Sequence, residues 1–160
     1  MIFNVNRINI TARKRGNIMP ALSKEVEEIL NSRFGKDTVI ALATAENDMP
    51  HVRGVNAIYD NGAFYIITYA VSNKIKQIEK NPNVAICGEW FTAHGTAINL
   101  GYIGSDENRL LAEKLRAAFS EWIDNGHVDF CDQNTVILCV KLKDGVLFSN
   151  SKRYDIDFPE

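Results

Sequence analysis

Asp60-Asn61-Gly62 is the feature that most constrains this chain. Asn and Gly both tolerate positive φ, which the tight turns joining antiparallel strands require. The flanking runs, His51 to Tyr59 and AFYIITYA after Gly62, are rich in β-branched and aromatic residues. The centre of the chain is therefore expected to be an antiparallel hairpin.

The neighbouring segments extend this pattern. Thr38 to Ala45, TVIALATA, reads as a buried strand, and Glu46-Asn47-Asp48 as the turn after it. Asn83 to Trp90 reads as a fourth strand, Thr96 to Ile103 as a fifth and Thr135 to Leu142 as a sixth. Asp144-Gly145 is expected to turn the chain back into Val146 to Ser149. Ser23 caps a first helix whose inner face carries Leu22, Val26, Ile29, Leu30 and Phe34, with Gly35 as its stop. A second helix runs from Ser72 to Lys80 and ends at Asn81-Pro82. The longest is expected to start at Ser105-Asp106-Glu107, with an inner stripe of Leu111, Leu115, Ala118, Phe119, Trp122 and Ile123. No regular alternation of strand and helix is present. The pattern predicts a mainly β fold, a closed or partly closed antiparallel barrel with inserted helices.

At 160 residues the chain is most simply one domain with a real core. Its net charge of −2 argues against general nucleic-acid binding. No apolar run is long enough to cross a bilayer. Residues 1–18 carry Arg7, Arg13, Lys14 and Arg15 and no acid, so the leader holds +4 and the remainder −6. It lacks the apolar centre of a secretory signal and faintly resembles an organelle transit peptide. We read 1–18 as a basic extension, or as sequence upstream of a start at Met19, and 19–160 as a single domain. Cys87, Cys131 and Cys139 form no CxxC pair, which points to reduced thiols in the cytoplasm. Cys87 and Cys139 lie in apolar β-like runs, where a free thiol behaves as a small hydrophobe. His51, His94 and His127 give no local metal signature.

The chemical signal lies between Pro50 and Ala85. A helix start offers unpaired amides and the positive end of the helix dipole, both suited to phosphate. Ser72 and Thr68 can add hydroxyls, Lys74 a full charge and Arg53 a two-pronged guanidinium brought alongside by strand pairing. Each also has a structural reading: Ser72 as a helix cap, Lys74 as a solvated lysine, Arg53 as a surface residue.

The order Pro50-x-x-Arg53, Asp60-Asn61-Gly62, Phe64-Tyr65-x-x-Thr68, Ser72-Asn73-Lys74, Asn81-Pro82-x-Val84 resembles the pyridoxamine 5′-phosphate oxidase-like family of FMN-binding split β-barrels. The likeness is good over residues 24–103. It implies a six-stranded antiparallel split barrel, usually a homodimer, with FMN between subunits. By position, Arg53 and Lys74 would meet the flavin phosphate, with Thr68, Ser72 and Asn73 beside them. Gly54, Val55 and Ile67 would lie along the flavin, and Glu89 to Trp90 would complete the pocket from the other subunit. True oxidases of the family carry a lysine where this chain has Ile58, and a C-terminal Trp and Arg segment that SKRYDIDFPE does not reproduce. The expectation is thus an FMN-dependent oxidoreductase, a reductase of a small molecule using a nicotinamide or another reduced donor, rather than a pyridoxamine phosphate oxidase. A non-catalytic flavin module, or a split barrel binding haem or a deazaflavin, are the alternatives. No catalytic acid or base can be named.

Overall fold

The computed structural model describes residues 22–159. The leader and its boundary at residue 18 lie outside the described residues. Helix α1 (Lys24–Phe34) leads into β1 (Thr38–Glu46), β2 (Met49–Asp60) and β3 (Ala63–Tyr69). Helix α2 (Asn73–Lys80), β4 (Asn83–Gly88) and β5 (Phe91–Tyr102) follow. A short 3-10 turn (Asp106–Asn108) opens α3 (Arg109–Ala118), and β6 (Thr135–Ser149) and β7 (Lys152–Asp157) complete the chain.

Every strand pairing is antiparallel. The strand order is β3-β2-β1-β4-β5-β6-β7, and β3 also pairs with β6. That last pairing closes β1 to β6 into a six-stranded barrel, while β7 extends the sheet from the far half of β6. The predicted hairpin forms as expected. Asn61 and Gly62 take φ values of 46° and 78°, the left-handed conformations for which the sequence was suited.

Alternation along the strands fills the barrel. Ile40, Leu42, Phe64, Ile66, Phe91, Leu138 and Val140 are buried inside it. Ser23 Oγ accepts from the Val26 amide at 3.3 Å and starts α1. The helix then delivers Phe34 between two strands, its ring 5.6 Å from Phe64 and 5.8 Å from Phe91. Ile75 and Ile78 of α2 enter the same core. A second apolar cluster lies outside the ring, where Leu115, Phe119 and Ile123 cover Ile58, Ile103 and Ile137. Fully burying an aliphatic or aromatic side chain contributes about 1.5–3 kcal/mol, so these clusters dominate the stability of the fold.

Four local expectations are corrected. First, Asp144-Gly145 is not a turn: β6 runs straight through it. Gly145 is needed for close approach, since a Cβ there would stand 2.9 Å from both the Phe91 ring and the Thr92 carbonyl oxygen. A register shift at His94/Gly95 absorbs the extra residue as a bulge. The reversal comes at Asn150 and Ser151, at φ 49° and 60°, and the presumed tail becomes β7.

Second, β4 stops at Gly88 and β5 begins at Phe91, because Glu89-Trp90 form the turn, with Trp90 at φ 53°. Third, α3 spans 10 residues against 11 in α1, so it is not the longest helix. Beyond Ala118 the stripe continues through tight turns. The Trp122 and Ile123 amides both bond to the Phe119 carbonyl, at 3.1 and 2.9 Å.

Fourth, Cys87 is exposed on the outer sheet face, opposite in phase to buried Val84 and Ile86. Cys139 is buried as expected, and burial pushes its thiol pKa up. Among the described residues no helix is long and apolar enough to cross a membrane.

Candidate functional site

The site is built where β2, β3 and the start of α2 meet. Tyr69 ends β3, and the Ser72 amide bonds back to the Tyr69 carbonyl at 3.0 Å, turning the chain into the helix. Ser72 occupies the cap position, yet its side chain makes no capping hydrogen bond. Its hydroxyl instead accepts from Lys74 Nζ at 3.4 Å, and Thr68 Oγ1 accepts from the same ammonium at 2.8 Å. Lys74 is thus half-buried and drawn back over the helix start. Burial, and then the charge of Arg53, lower its pKa below the usual lysine value.

Arg53 is fixed from beneath by oxygens that carry no net charge. Its Nη1 donates to Thr44 Oγ1 at 2.8 Å and to the Leu42 carbonyl at 3.3 Å. Its Nη2 donates to Gln77 Oε1 at 3.0 Å. Burial lowers the pKa of Arg53 somewhat, but a guanidinium stays charged. Among the described residues, neither Arg53 nor Lys74 forms an ion pair with a carboxylate. Two partly desolvated cations that repel one another, beside the amides of a helix start, make a site for an anion.

The structure brings Thr68, Ser72 and Lys74 into contact and sets Arg53 close enough to act on the charge of Lys74, although the β2–β3 pairing itself ends at Ile58–Tyr65 and does not reach Arg53. Asn73 is the first residue of α2 and is exposed. Gly54 continues β2 on the outer face, opposite Ala41. Val55 packs against the barrel core and Ile67 against the second cluster, each only partly buried. Trp90 is not brought to the cradle within one chain. Its turn follows Gly88, beyond the Ala41–Cys87 pairing, whereas Arg53 is anchored towards the other end of β1 at Thr44. Ile58, where related oxidases would carry lysine, is only 5% exposed and lies beneath α3 and the turns after it.

Thr44 and Gln77 were missed. Both are polar at core-facing positions, and they are only 3% and 5% exposed. In the sequence the signal was a hydroxyl in phase with Ile40 and Leu42, and an amide beside Ile78 on the buried side of α2.

Two other polar pairs lie nearby. The Tyr69 hydroxyl donates to Asp132, which raises the pKa of the phenol and lowers that of the carboxyl. His94 Nδ1 stands 2.7 Å from an Asp144 oxygen on the outer face. A shallow groove of about 300 Å³ runs across this face, lined by Ala41, Ala43, Val52, Ala85 and Cys87 among others. Val39 and Val52 are 65% and 71% exposed on the same face.

Comparison with known proteins adds the following. A family model described as Pyridoxamine 5′-phosphate oxidase matches residues 22–144. No curated protein matches the sequence significantly. Among solved structures, the General Stress Protein 26 of Bacillus anthracis is 19% identical, covering 82% of this chain and 99% of that one with a TM-score of 0.63. An FAD-binding protein of Mesorhizobium loti is 18% identical, covering 78% and 92% with a TM-score of 0.60. HutZ, the haem storage protein of Vibrio cholerae, is 15% identical, covering 83% and 100% with a TM-score of 0.61. At these identities the likeness is one of fold.

Proposed function

Since the chain belongs to the pyridoxamine 5′-phosphate oxidase family, we propose that it binds FMN and acts as a flavin-dependent oxidoreductase on a small molecule. The observation that carries this reading is the pair Arg53 and Lys74, two neighbouring cations without carboxylate partners among the described residues, one in the first turn of α2 and the other bonded to Gln77 of the same helix. Arg53, Lys74, Thr68 and Ser72 hold the flavin phosphate, and the first amides of α2, from Asn73 on, add donors. The backbones of Gly54, Val55 and Ile67 run alongside the rest of the cofactor. Bound flavin supplies the redox chemistry, and the protein supplies position and donors.

Oxidation of pyridoxamine phosphate is not the proposed reaction. Ile58 is sealed inside an apolar cluster, and the chain after Ser149 is committed to β7. Reduction of a small acceptor by a nicotinamide donor is the proposed direction.

The active form is a homodimer. The cradle can grip a phosphate, but a single chain leaves Trp90 far from it. The outer face offers Val39, Ala41, Ala43, Val52, Gly54 and Ala85, small or flat residues that allow a second sheet to approach closely. Three unpaired thiols suit the cytoplasm as the working compartment.

The purified protein tests this directly. It should show flavin bands in the visible spectrum, release FMN on denaturation, and bleach with reduced nicotinamide. A Soret band would move the chain towards its haem-binding neighbours. A colourless protein that cannot be reconstituted with FMN would overturn the proposal.

A further inference from the structure

We propose that Gln77 and Thr44 are positioning residues that hold Arg53 in place without cancelling its charge, a role that rests on the flavin-phosphate reading of the cradle. The argument begins with cost. Gln77 and Thr44 place polar side chains in an otherwise apolar interior, at 5% and 3% exposure. Buried polar groups are unfavourable unless fully hydrogen-bonded, and here the bonds converge on one residue. Gln77 Oε1 accepts from Thr44 Oγ1 at 2.6 Å and from Arg53 Nη2 at 3.0 Å. Thr44 Oγ1 in turn accepts from Arg53 Nη1 at 2.8 Å. The three side chains form a closed triangle joining β1, β2 and α2.

The chemistry of the acceptors matters as much as the geometry. A carboxylate at Gln77 would hold the guanidinium more strongly, but it would neutralise the charge a phosphate needs. An acid does lie close to this amide. Glu46 meets Gln77, but its carboxylate is held by Lys80 at 2.5 Å, the main reason its pKa is lowered. Amide and hydroxyl oxygens thus fix Arg53, while its +1 remains available beside Lys74. Because α2 contributes both Gln77 and Lys74, the triangle also sets the distance between the two cations.

The experiment is FMN titration of the full-length protein, with riboflavin, which lacks the phosphate, as the second probe. Gln77→Leu and Thr44→Val should each weaken FMN about tenfold, the scale of a hydrogen bond to a charged group, and leave riboflavin affinity unchanged. Thr44→Ser should restore FMN binding. In an Arg53→Ala background neither Gln77→Leu nor Thr44→Val should weaken FMN further. Equal loss of FMN and riboflavin, unchanged FMN affinity, or full additivity with Arg53→Ala would each overturn the inference. If Arg53→Ala itself bound FMN normally, the phosphate assignment would fall, and the inference with it.

Discussion

The helix-start cradle and the β7 edge each hold two basic residues, and they treat them in opposite ways. On β7, Arg153 pairs with Asp155 at 2.7 Å and Lys152 lies 3.6 Å from Glu25. Tyr154 bonds the same Glu25 carboxylate at 2.7 Å, the first reason its pKa is lowered. Both cations there have a carboxylate partner, and the contacts with Glu25 tie β7 to α1. At the cradle, Arg53 and Lys74 rest on neutral oxygens, and burial, followed by the charge of Arg53, lowers the pKa of Lys74. Compensated cations join parts of the fold. Uncompensated ones, held at a stability cost, indicate where a ligand completes the charge balance.

The largest effect expected from this contrast follows from deleting the cradle charges. Arg53→Ala and Lys74→Ala should each weaken FMN binding by roughly 10- to 150-fold, the equivalent of about 1.5–3 kcal/mol for a charge-assisted hydrogen bond. The double variant should bind no FMN at attainable concentrations. Fluorescence titration measures this, and wild-type affinity in both single variants would end the phosphate assignment.

A smaller effect follows from making the cradle resemble the edge. Ser72→Asp supplies a carboxylate beside Lys74 and a good cap for α2. It should raise stability by about 0.5–1 kcal/mol through the cap and the helix dipole. It should also weaken FMN about tenfold, because the carboxylate occupies the position of the phosphate charge. Thermal unfolding and titration of the same sample read both outcomes. A stabilised variant with unchanged FMN affinity would show that the cations are not waiting for an anion.

How far this contrast was legible in the sequence depends on the distance over which each signal acts. Thr68, Ser72 and Lys74 lie on one strand end and the helix start that follows it, so local rules were enough to group them, whereas the hairpin pairing stops at Ile58–Tyr65, short of Arg53. The neutral support of Arg53 was not local. Thr44 sits on the preceding strand and Gln77 on the following helix, and only barrel closure brings them to the guanidinium. The β7 edge was misread because Asp144-Gly145 has the composition of a turn. What decides its conformation is the Phe91 ring packed against Gly145, a contact across more than fifty residues. Trp90 was misread for a related reason: an aromatic residue after a β-rich run looks like strand, whereas the Phe148 amide bonding its carbonyl at 2.9 Å helps fix it as a turn.

Lys74 adds a pH test of the cradle alone. Its folded pKa lies below the usual 10.5, because of burial first and Arg53 second. Phosphate prefers the ammonium, so FMN affinity should begin to fall below pH 10.5 as the lysine loses its proton. Lys74→Arg should bind more weakly at neutral pH, because Thr68 and Ser72 are spaced for a compact ammonium. It should, however, hold its affinity to higher pH. Parallel pH profiles in the two proteins would place the titration elsewhere.

The smallest expected effect is at the β7 edge, and it is the sharpest control. Arg153→Ala removes a positive charge as large as the one at Arg53, and the net charge of the protein changes equally in the two variants. If the cradle worked only through the overall field of the protein, both substitutions would weaken FMN alike at low salt. With Asp155 already compensating Arg153, the local reading predicts no change in FMN affinity for Arg153→Ala at any ionic strength, measured beside Arg53→Ala in the same buffers. A loss at Arg153 comparable to that at Arg53 would mean that long-range attraction, rather than the geometry of the helix start, recruits the cofactor.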